Sequence, residues 1–572
     1  MPEPVTIVEL RVLDGPNLYF PRPAVKLTLA VPGWMRAADT TVLRVAKGFG
    51  FGPVSPGPAG TDVRLRMTAR IAKRCTREIA RAAGTERLAV RGRSDETPNQ
   101  IVIAFPWRRR GSAEALATTV AGALALLLRR SPSLVVAELG AQLATAEPGE
   151  EPTVPDPEVP VVQVTGTNGK TTTVRLLAHL VRAAGLRVAY SSTDGVYMGD
   201  GELIEPGDYS GFGGAARALA AEPDVAVLET ARGGMLLRGS GVLHNDVAVV
   251  TNVSEDHLGL HGVFTVDQLA EVKAIPTRIT RADGWDVLNA DDPRVLAMRR
   301  HASGQPWLFS ADPDHPAFRE VLPAGGRAMT VVDGMLTWMD GDQAHPLVAV
   351  TDVPVTLSGL SRVNIANAMA AAAAALAIGI PPRAVIRGLK TFVLDPERNP
   401  GRANLFRLDG RVVVIDYAHN TAGMISLTEV LHGLRRRDHE VWLAIGTAGD
   451  RSDAILHSFA LQAALGCDHL AIAELERYLR GRSGQEIIDR LREGAAHAGV
   501  TPVPAYPDEL QALRAMLASA RRDDVVAITA LAKRAEIFDW LEASGAVRMT
   551  PATVRRLVRL VNEEQGTHEP TR

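Results

Sequence analysis

Residues Gly166-Thr167-Asn168-Gly169-Lys170-Thr171-Thr172 have the types and spacing of a polyphosphate site. A lysine straight after a glycine-bearing loop can touch β- and γ-phosphates, and the next hydroxyl, Thr171, can hold Mg²⁺. If a helix starts near Lys170, its first backbone N–H groups are free and its dipole is positive there, so the loop can take anionic charge. The common pattern G-x-x-x-x-G-K-[ST] has an earlier glycine where this chain has Val164. The plain alternative is an ordinary strand, turn and helix with a lysine in its first turn.

Further chemistry-bearing residues stand at the ends of short apolar runs. Glu229 follows Asp224-Val225-Ala226-Val227-Leu228 and could hold Mg²⁺ opposite Thr171. Thr251-Asn252-Val253-Ser254-Glu255-Asp256-His257 ends another run and offers His257 as a second metal ligand, against the more ordinary role of a structural histidine. Asn364 and Asn367 share one face of a helix start, where they could bond an adenine or simply cap and pack. Asp416-Tyr417-Ala418-His419-Asn420 crowds one more strand end, and Gly446-Thr447-Ala448-Gly449-Asp450-Arg451 could approach a phosphate or carboxylate. Asp292 reads as a helix cap. Lys273 lies on an expected helix, and nothing in its own surroundings singles it out.

These residues need strands to carry them and helices to face them. Residues 161–164 read as a buried parallel strand, and Val174, Leu176, Leu177, Leu180 and Val181 form the apolar face of the helix after the loop. Strands at 187–190, 225–228, 247–250 and 287–288 alternate with helices, which is α/β architecture with a parallel sheet. In such sheets ligands sit past the carboxyl ends of strands. The expected division is an α+β domain over 1–146, a Pro/Glu-rich semi-rigid linker over 147–160, a central P-loop α/β ATPase domain over 161–398, and a C-terminal Rossmann-like α/β domain over 399–572. The first domain has strands at 5–12, 25–31, 87–90 and 101–105. An apolar stripe through Val63, Met67, Ile71, Cys75 and Ile79 and a helix over 112–128 complete it; it reads as a docking or assembly domain. The last has strands at 405–408, 412–415, 441–445 and 525–528.

Bulk composition excludes several classes. In 572 residues, 63 Lys and Arg against 65 Asp and Glu leave a formal net charge of −2, so no global field recruits nucleic acid or an anionic membrane. Arg108-Arg109-Arg110 and Arg435-Arg436-Arg437 are short enough to be solvated faces. Two cysteines, Cys75 and Cys467, cannot build a disulfide framework or a cysteine zinc cluster. The first residues lack a signal-peptide pattern and no apolar run spans a bilayer, so the expected compartment is the cytoplasm.

The motifs from Gly166 to Thr172, Glu229-Thr230-Ala231-Arg232-Gly233-Gly234, Asp256-His257, Asn364-Ile365-Ala366-Asn367-Ala368 and Asp416 to Asn420 together resemble the Mur ligase family, in order and separation. Within that family, the runs 229–234 and 254–259 and Asn399-Pro400-Gly401-Arg402 are similar to the Mur-type part of the cyanophycin synthetases. The stretch Arg11-Val12-Leu13-Asp14-Gly15-Pro16-Asn17 resembles their small opening domain. Those synthetases carry an ATP-grasp domain between these regions, where this chain has the linker.

The resemblance implies an ATP-dependent carboxylate–amine ligase that works through an acyl phosphate. By position it makes Lys170, Lys273, His257 and Arg402 catalytic. It gives Thr171, Glu229, His257 and Lys273 to two Mg²⁺ ions, Lys273 being where the family lysine is often carbamylated. Gly166, Thr167, Asn168, Gly169, Lys170, Thr171, Thr172, Asn364, Asn367, Arg402 and Asp416 fall to the nucleotide. Asp208, Ser210 and Arg232 are expected at the carboxylate substrate, and His419, Asn420, Asp450 and Arg451 at the amine. Val363 stands where the family often has a histidine, and Thr421 replaces a proline. The expected partners are small-molecule, peptide or polymer-end substrates, a second copy of the chain in a homo-oligomer, and a separate ATP-grasp ligase. The alternative expectation is a non-catalytic or tandem subunit of such a synthetase.

Overall fold

The computed structural model describes residues 4–199, 201–256 and 258–566. It gathers into two compact units. One takes the chain up to Pro157 with Gly211–Ala216 and Arg232–Leu243; the other takes Glu158–Ser210, Arg217–Ala231 and the chain from His244 onward.

The first unit holds an antiparallel sheet in the order Thr6–Leu13, Ala24–Ala30, Gln100–Pro106, Arg91–Ser94. Val25, Leu27 and Leu29 alternate inward with Ile101, Ile103 and Phe105 and pack on Ile71, Cys75 and Ile79 of the helix Asp62–Ala82. Cys75 is therefore core, and burial pushes its thiol up to about 12. Val63 is not: it is 44% exposed, because the stripe continues past the edge of the core in the helix's first turn. The strand expected over 87–90 begins instead at Arg91. Asn99, at φ 61°, sits in the turn that pairs Ser94 with Ile101, and this register leaves Val90 buried but outside the ladder.

The Asp14–Asn17 turn grips the segment 236–240. Gly15 N donates to Arg238 O at 3.0 Å, Ser240 N to Pro16 O at 2.6 Å, and Arg11 to Leu236 O at 2.8 Å. A Cβ on Gly15 would stand 1.8 Å from Ser240 O, so only glycine fits.

The second unit contains an 11-stranded and a 7-stranded sheet. The parallel core of the larger runs Arg327–Val332, Gln305–Phe309, Thr280–Asn289, Asn245–Val250, Val161–Thr165, Val225–Glu229, Val188–Ser192. Antiparallel strands flank it at both edges: Met335–Asp340 and Gln343–Ala349 beyond Arg327–Val332 on one side, Gly195–Met198 and Glu202–Pro206 on the other. The expected parallel α/β sheet is thus present, and the strands at 305–309 and 327–349 are additions that the sequence reading did not contain. Lys170–Ala183, Arg362–Ala377 and Pro382–Thr391 pack on it, with Ala370 to Ala375 fully buried.

The smaller sheet has the order Ala505–Tyr506, His469–Ala473, Val441–Ile445, Val525–Thr529, Arg411–Asp416, Asn404–Leu408, Val547–Arg548. Its pairings are parallel except the last two, so only Asn404–Leu408 runs against the others. Among the described residues no helix is long and apolar enough to cross a membrane.

Candidate active site

The strand Val161–Thr165 ends in the loop 166–169, and the helix Lys170–Ala183 starts there as expected. Two glycines make the loop possible. Gly166 has φ +148° and its Cβ would lie 1.9 Å from Thr251 Oγ1; Gly169 has φ +86° and its Cβ would lie 2.2 Å from Asn367 Oδ1. The loop rests on the end of the neighbouring strand: Thr167 N donates to Asn252 O at 2.8 Å and Asn168 N to Asn252 Oδ1 at 2.9 Å. Thr251 Oγ1 and Asn252 Nδ2 both donate to Asn168 O, at 2.7 and 3.0 Å. Lys170 Nζ bonds Thr167 O at 2.9 Å, and buried Lys273 Nζ bonds Gly166 O at 2.5 Å. Two ammonium groups therefore stand on one loop.

Thr171 and Glu229 meet. Thr171 Oγ1 donates to Glu229 Oε2 at 2.8 Å and accepts from Arg402 at 3.1 Å. Glu229 is 2% exposed, and its Oε1 is buried with no hydrogen-bond partner among the described residues. A buried carboxylate oxygen left over beside a hydroxyl fits a hard divalent cation, which takes oxygen ligands. Thr193 Oγ1 lies 3.5 Å from the Thr171 hydroxyl. His257 lies outside the described residues. Among the described residues no cluster of His, Cys, Asp and Glu suffices by itself for a metal.

The smaller sheet brings its strand ends to the same loop. Asn420 caps the helix Thr421–Leu434 and exchanges amide bonds with Asn168, at 3.2 and 3.0 Å. Buried Arg451 pairs with Asp256 at 3.3 Å, while Asp450 pairs with Arg480. His419 Nδ1 lies 2.9 Å from Tyr417 O; since a carbonyl only accepts, Nδ1 carries the proton and Nε2 is an acceptor. Burial lowers the His419 pKa against the opposing pull of Asp256. The ring is neutral at pH 7.

Several expected residues turn to structural partners. Asp416 accepts from Ala403 N at 2.9 Å and Ala418 N at 2.8 Å, and burial raises its pKa. Asn367 Nδ2 bonds Asn364 Oδ1 at 3.0 Å, and its Oδ1 accepts from Thr173 at 3.3 Å, so Asn367 lies beneath the loop 166–169. Asp208 Oδ1 accepts from Ser210 N and Oγ at 3.0 and 2.6 Å, which closes a local turn. Arg232 opens the short helix Arg232–Leu237. Thr172 accepts from Asn399 at 3.3 Å.

Sequence reasoning missed Arg175, Asp194, Asn252 and Arg534. Asp194 stands just past Val188–Ser192 and Arg534 soon after Val525–Thr529, so the strand-end rule applied to every strand would have reached both.

The chain belongs to the Mur ligase family. Its residues 164–375 match the Mur ligase middle domain, and 401–531 match the Mur ligase glutamate ligase domain. A cyanophycin synthetase of Synechocystis sp. is 36% identical over 408 residues, 70% of this chain and 43% of that protein. The chain thus spans less than half the length of that relative. A UDP-N-acetylmuramyl-tripeptide synthetase of Deinococcus radiodurans is 30% identical over 413 residues, 68% of this chain and 78% of that protein. A bifunctional folylpolyglutamate synthase/dihydrofolate synthase, solved with Mn, AMPPNP and L-glutamate bound, shares the fold at TM-score 0.52 and 21% identity. It covers 67% of this chain and 89% of that one.

Proposed function

We propose that the chain is an ATP-dependent carboxylate–amine ligase that acts on an amino acid, a peptide or a peptide-like polymer end through an acyl phosphate. The observation that carries this reading is the Thr171 hydroxyl, which meets Glu229 on one side and, on the other, Arg402, just before the strand Asn404–Leu408 of the smaller sheet. A glutamate and an arginine on one phosphate-loop hydroxyl place a cation ligand and an anion ligand side by side.

A carboxylate is a poor electrophile until its oxygen can leave as phosphate. One of its oxygens attacks the γ-phosphorus of ATP, and the bond to the bridging oxygen of ADP breaks. The amine nitrogen then attacks the acyl carbon, phosphate leaves with the C–O electron pair, and the nitrogen loses a proton. Lys170 and Arg402 neutralise charge on the phosphoryl oxygens, and alignment supplies the rest. Mg²⁺ would be held by Thr171, Glu229 and His257, with a second ion at Lys273 once its amine is carbamylated, and would supply further charge neutralisation. His419, neutral and with an acceptor at Nε2, is able to take the amine proton. Asn364, Asn367 and Asp416 are assigned to the nucleotide through the elements they hold in place. Asp208, Ser210 and Arg232 are assigned to the carboxylate substrate, and Asn420, Asp450 and Arg451 to the amine.

A phosphate-release screen of amino acids and dipeptides, paired in all combinations, tests the reading with Lys170→Ala as control. At least one pair should release phosphate in the wild type alone. If no pair exceeds the control, the chain is not such a ligase. A second reading, a tandem ligase that alternates with a separate ATP-grasp enzyme, is favoured by the linker at 147–160, where the similar synthetases carry that domain. Mass spectra of products made with and without such an enzyme separate one addition from many.

A further inference from the structure

Asp194 is used by nothing described so far, yet its two oxygens go to arginines from distant parts of the chain. Oδ2 accepts from Arg175 at 2.8 Å, on the helix that follows the phosphate loop. Oδ1 accepts from Arg534 at 2.7 Å, the first residue of the helix Arg534–Ala543 in the smaller sheet's half. We propose that Asp194 is a positioning residue for the ligase reaction: through Arg175 and Arg534 it seats the stretch 398–402, and with it Arg402, on the phosphate loop.

The same two arginines also hold that stretch directly. Arg175 donates to Arg398 O at 3.1 Å and Arg534 to Pro400 O at 3.3 Å. Gly401, at φ +70°, packs on the Arg534 stem so closely that a Cβ would lie 2.5 Å from Cδ. Arg402 comes next in the chain; its guanidinium lies 4.9 Å from the Tyr417 ring centroid and reaches Thr171. Arg534 faces the same ring from 6.0 Å. An aromatic ring thus shares its electron-rich faces with the two cations that Asp194 and Thr171 anchor.

The triad is partly desolvated. The side chains of Arg175, Asp194 and Arg534 are 4, 17 and 24% exposed. Burial would push the Asp194 carboxyl up, but Arg534, Arg175 and Arg402 outweigh it and hold it below the usual range. Neutralising Asp194 leaves two guanidinium groups without the charge between them, which is the costly way to break a buried pair. An ion pair serving stability alone would lower the melting temperature and leave the reaction's parameters in proportion. A positioning residue changes turnover through Arg402.

The proposal rests on the ligase reading, so its test has one arm that needs no turnover. Hydrogen exchange of the peptide 396–404 is measured in Asp194→Asn, Arg534→Gln, the double variant and Asp194→Glu, with 161–165 as internal reference. Exchange at 396–404 should rise about tenfold in both singles and no further in the double, with partial recovery in Asp194→Glu. With the acid–amine pair found by the screen, kcat should fall about tenfold or more while KM for ATP stays within about twofold. Unchanged exchange at 396–404 in Asp194→Asn, or effects of the two singles that multiply in the double, would overturn the proposal. A screen that finds no substrate sinks the ligase reading and leaves the exchange arm to judge the latch.

Discussion

Glu229 is the residue on which the metal assignment turns. Its Oε2 is satisfied by Thr171 while its buried Oε1 has no hydrogen-bond partner among the described residues, so an isosteric amide would keep the volume and lose the charge that a cation needs. Glu229→Gln should lower kcat about a hundredfold and move the Mg²⁺ dependence of phosphate release to higher concentration, within the range seen when an electrostatic stabiliser is removed. A wild-type Mg²⁺ titration in the variant would remove Glu229 from the metal set. Asp286 makes a separate claim about pH. It is fully buried, accepts from Thr280 Oγ1 at 2.7 Å and Gly304 N at 2.9 Å, and burial raises its carboxyl to about 7 from 3.8. Between those values the folded state holds a proton that the unfolded state has released. Stability therefore falls as pH rises from about 4 to about 7, by up to about 4 kcal/mol, and levels off above. Urea unfolding at pH 5 and pH 8 should show about 2–3 kcal/mol of that fall in the wild type and a smaller one in Asp286→Asn.

At the scale of elements, the Ala-rich helix Arg362–Ala377 lets the helix Lys170–Ala183 lie close to it and keeps Asn367 under Gly169. Ala372 of that helix is fully buried in the core. Ala372→Leu should cost about 1–3 kcal/mol through overpacking, read as a lower midpoint in thermal unfolding. The alanine run was legible as tight packing, but the side it packs on was not. The strand end at 251–254 shows the same division. Its polar residues announce a site, while the bonds from Thr251 and Asn252 to Asn168 follow from the parallel pairing of Asn245–Val250 with Val161–Thr165. The strands between 305 and 349 were not legible. Trp285, Trp307 and Trp338 converge on Arg327 at 4.6, 5.1 and 5.4 Å, a grouping built by neighbouring strands and by no periodicity within one.

Across the whole molecule, the proposed reaction needs residues on both sheets of the larger unit to answer to one nucleotide. Mg²⁺ with a non-hydrolysable ATP analogue should slow amide exchange at 166–172 and at 399–403 together. At a hundredfold excess over Kd, binding should add about 2.7 kcal/mol to the stability of the parts that bind it. Protection confined to 166–172 would separate Arg402 from the nucleotide.

The sequence by itself determined the glycine-bearing loop between strand and helix at 166–169, the alternating α/β elements, the glutamate at a strand end and the family to which they belong. Each of these is written locally, in a glycine's freedom, an apolar period or a short motif. Tertiary structure alone decided which polar residues were used up in holding backbone, as Asp416 is, or other side chains, as Asn367 is, and which stayed available among the described residues, as Glu229 Oε1 did. It also decided that Asp194 would meet Arg175 and Arg534, 340 residues farther along the chain. A charge's partner is set by the three-dimensional path of the chain, and no local pattern encodes a distance between strands of two different sheets.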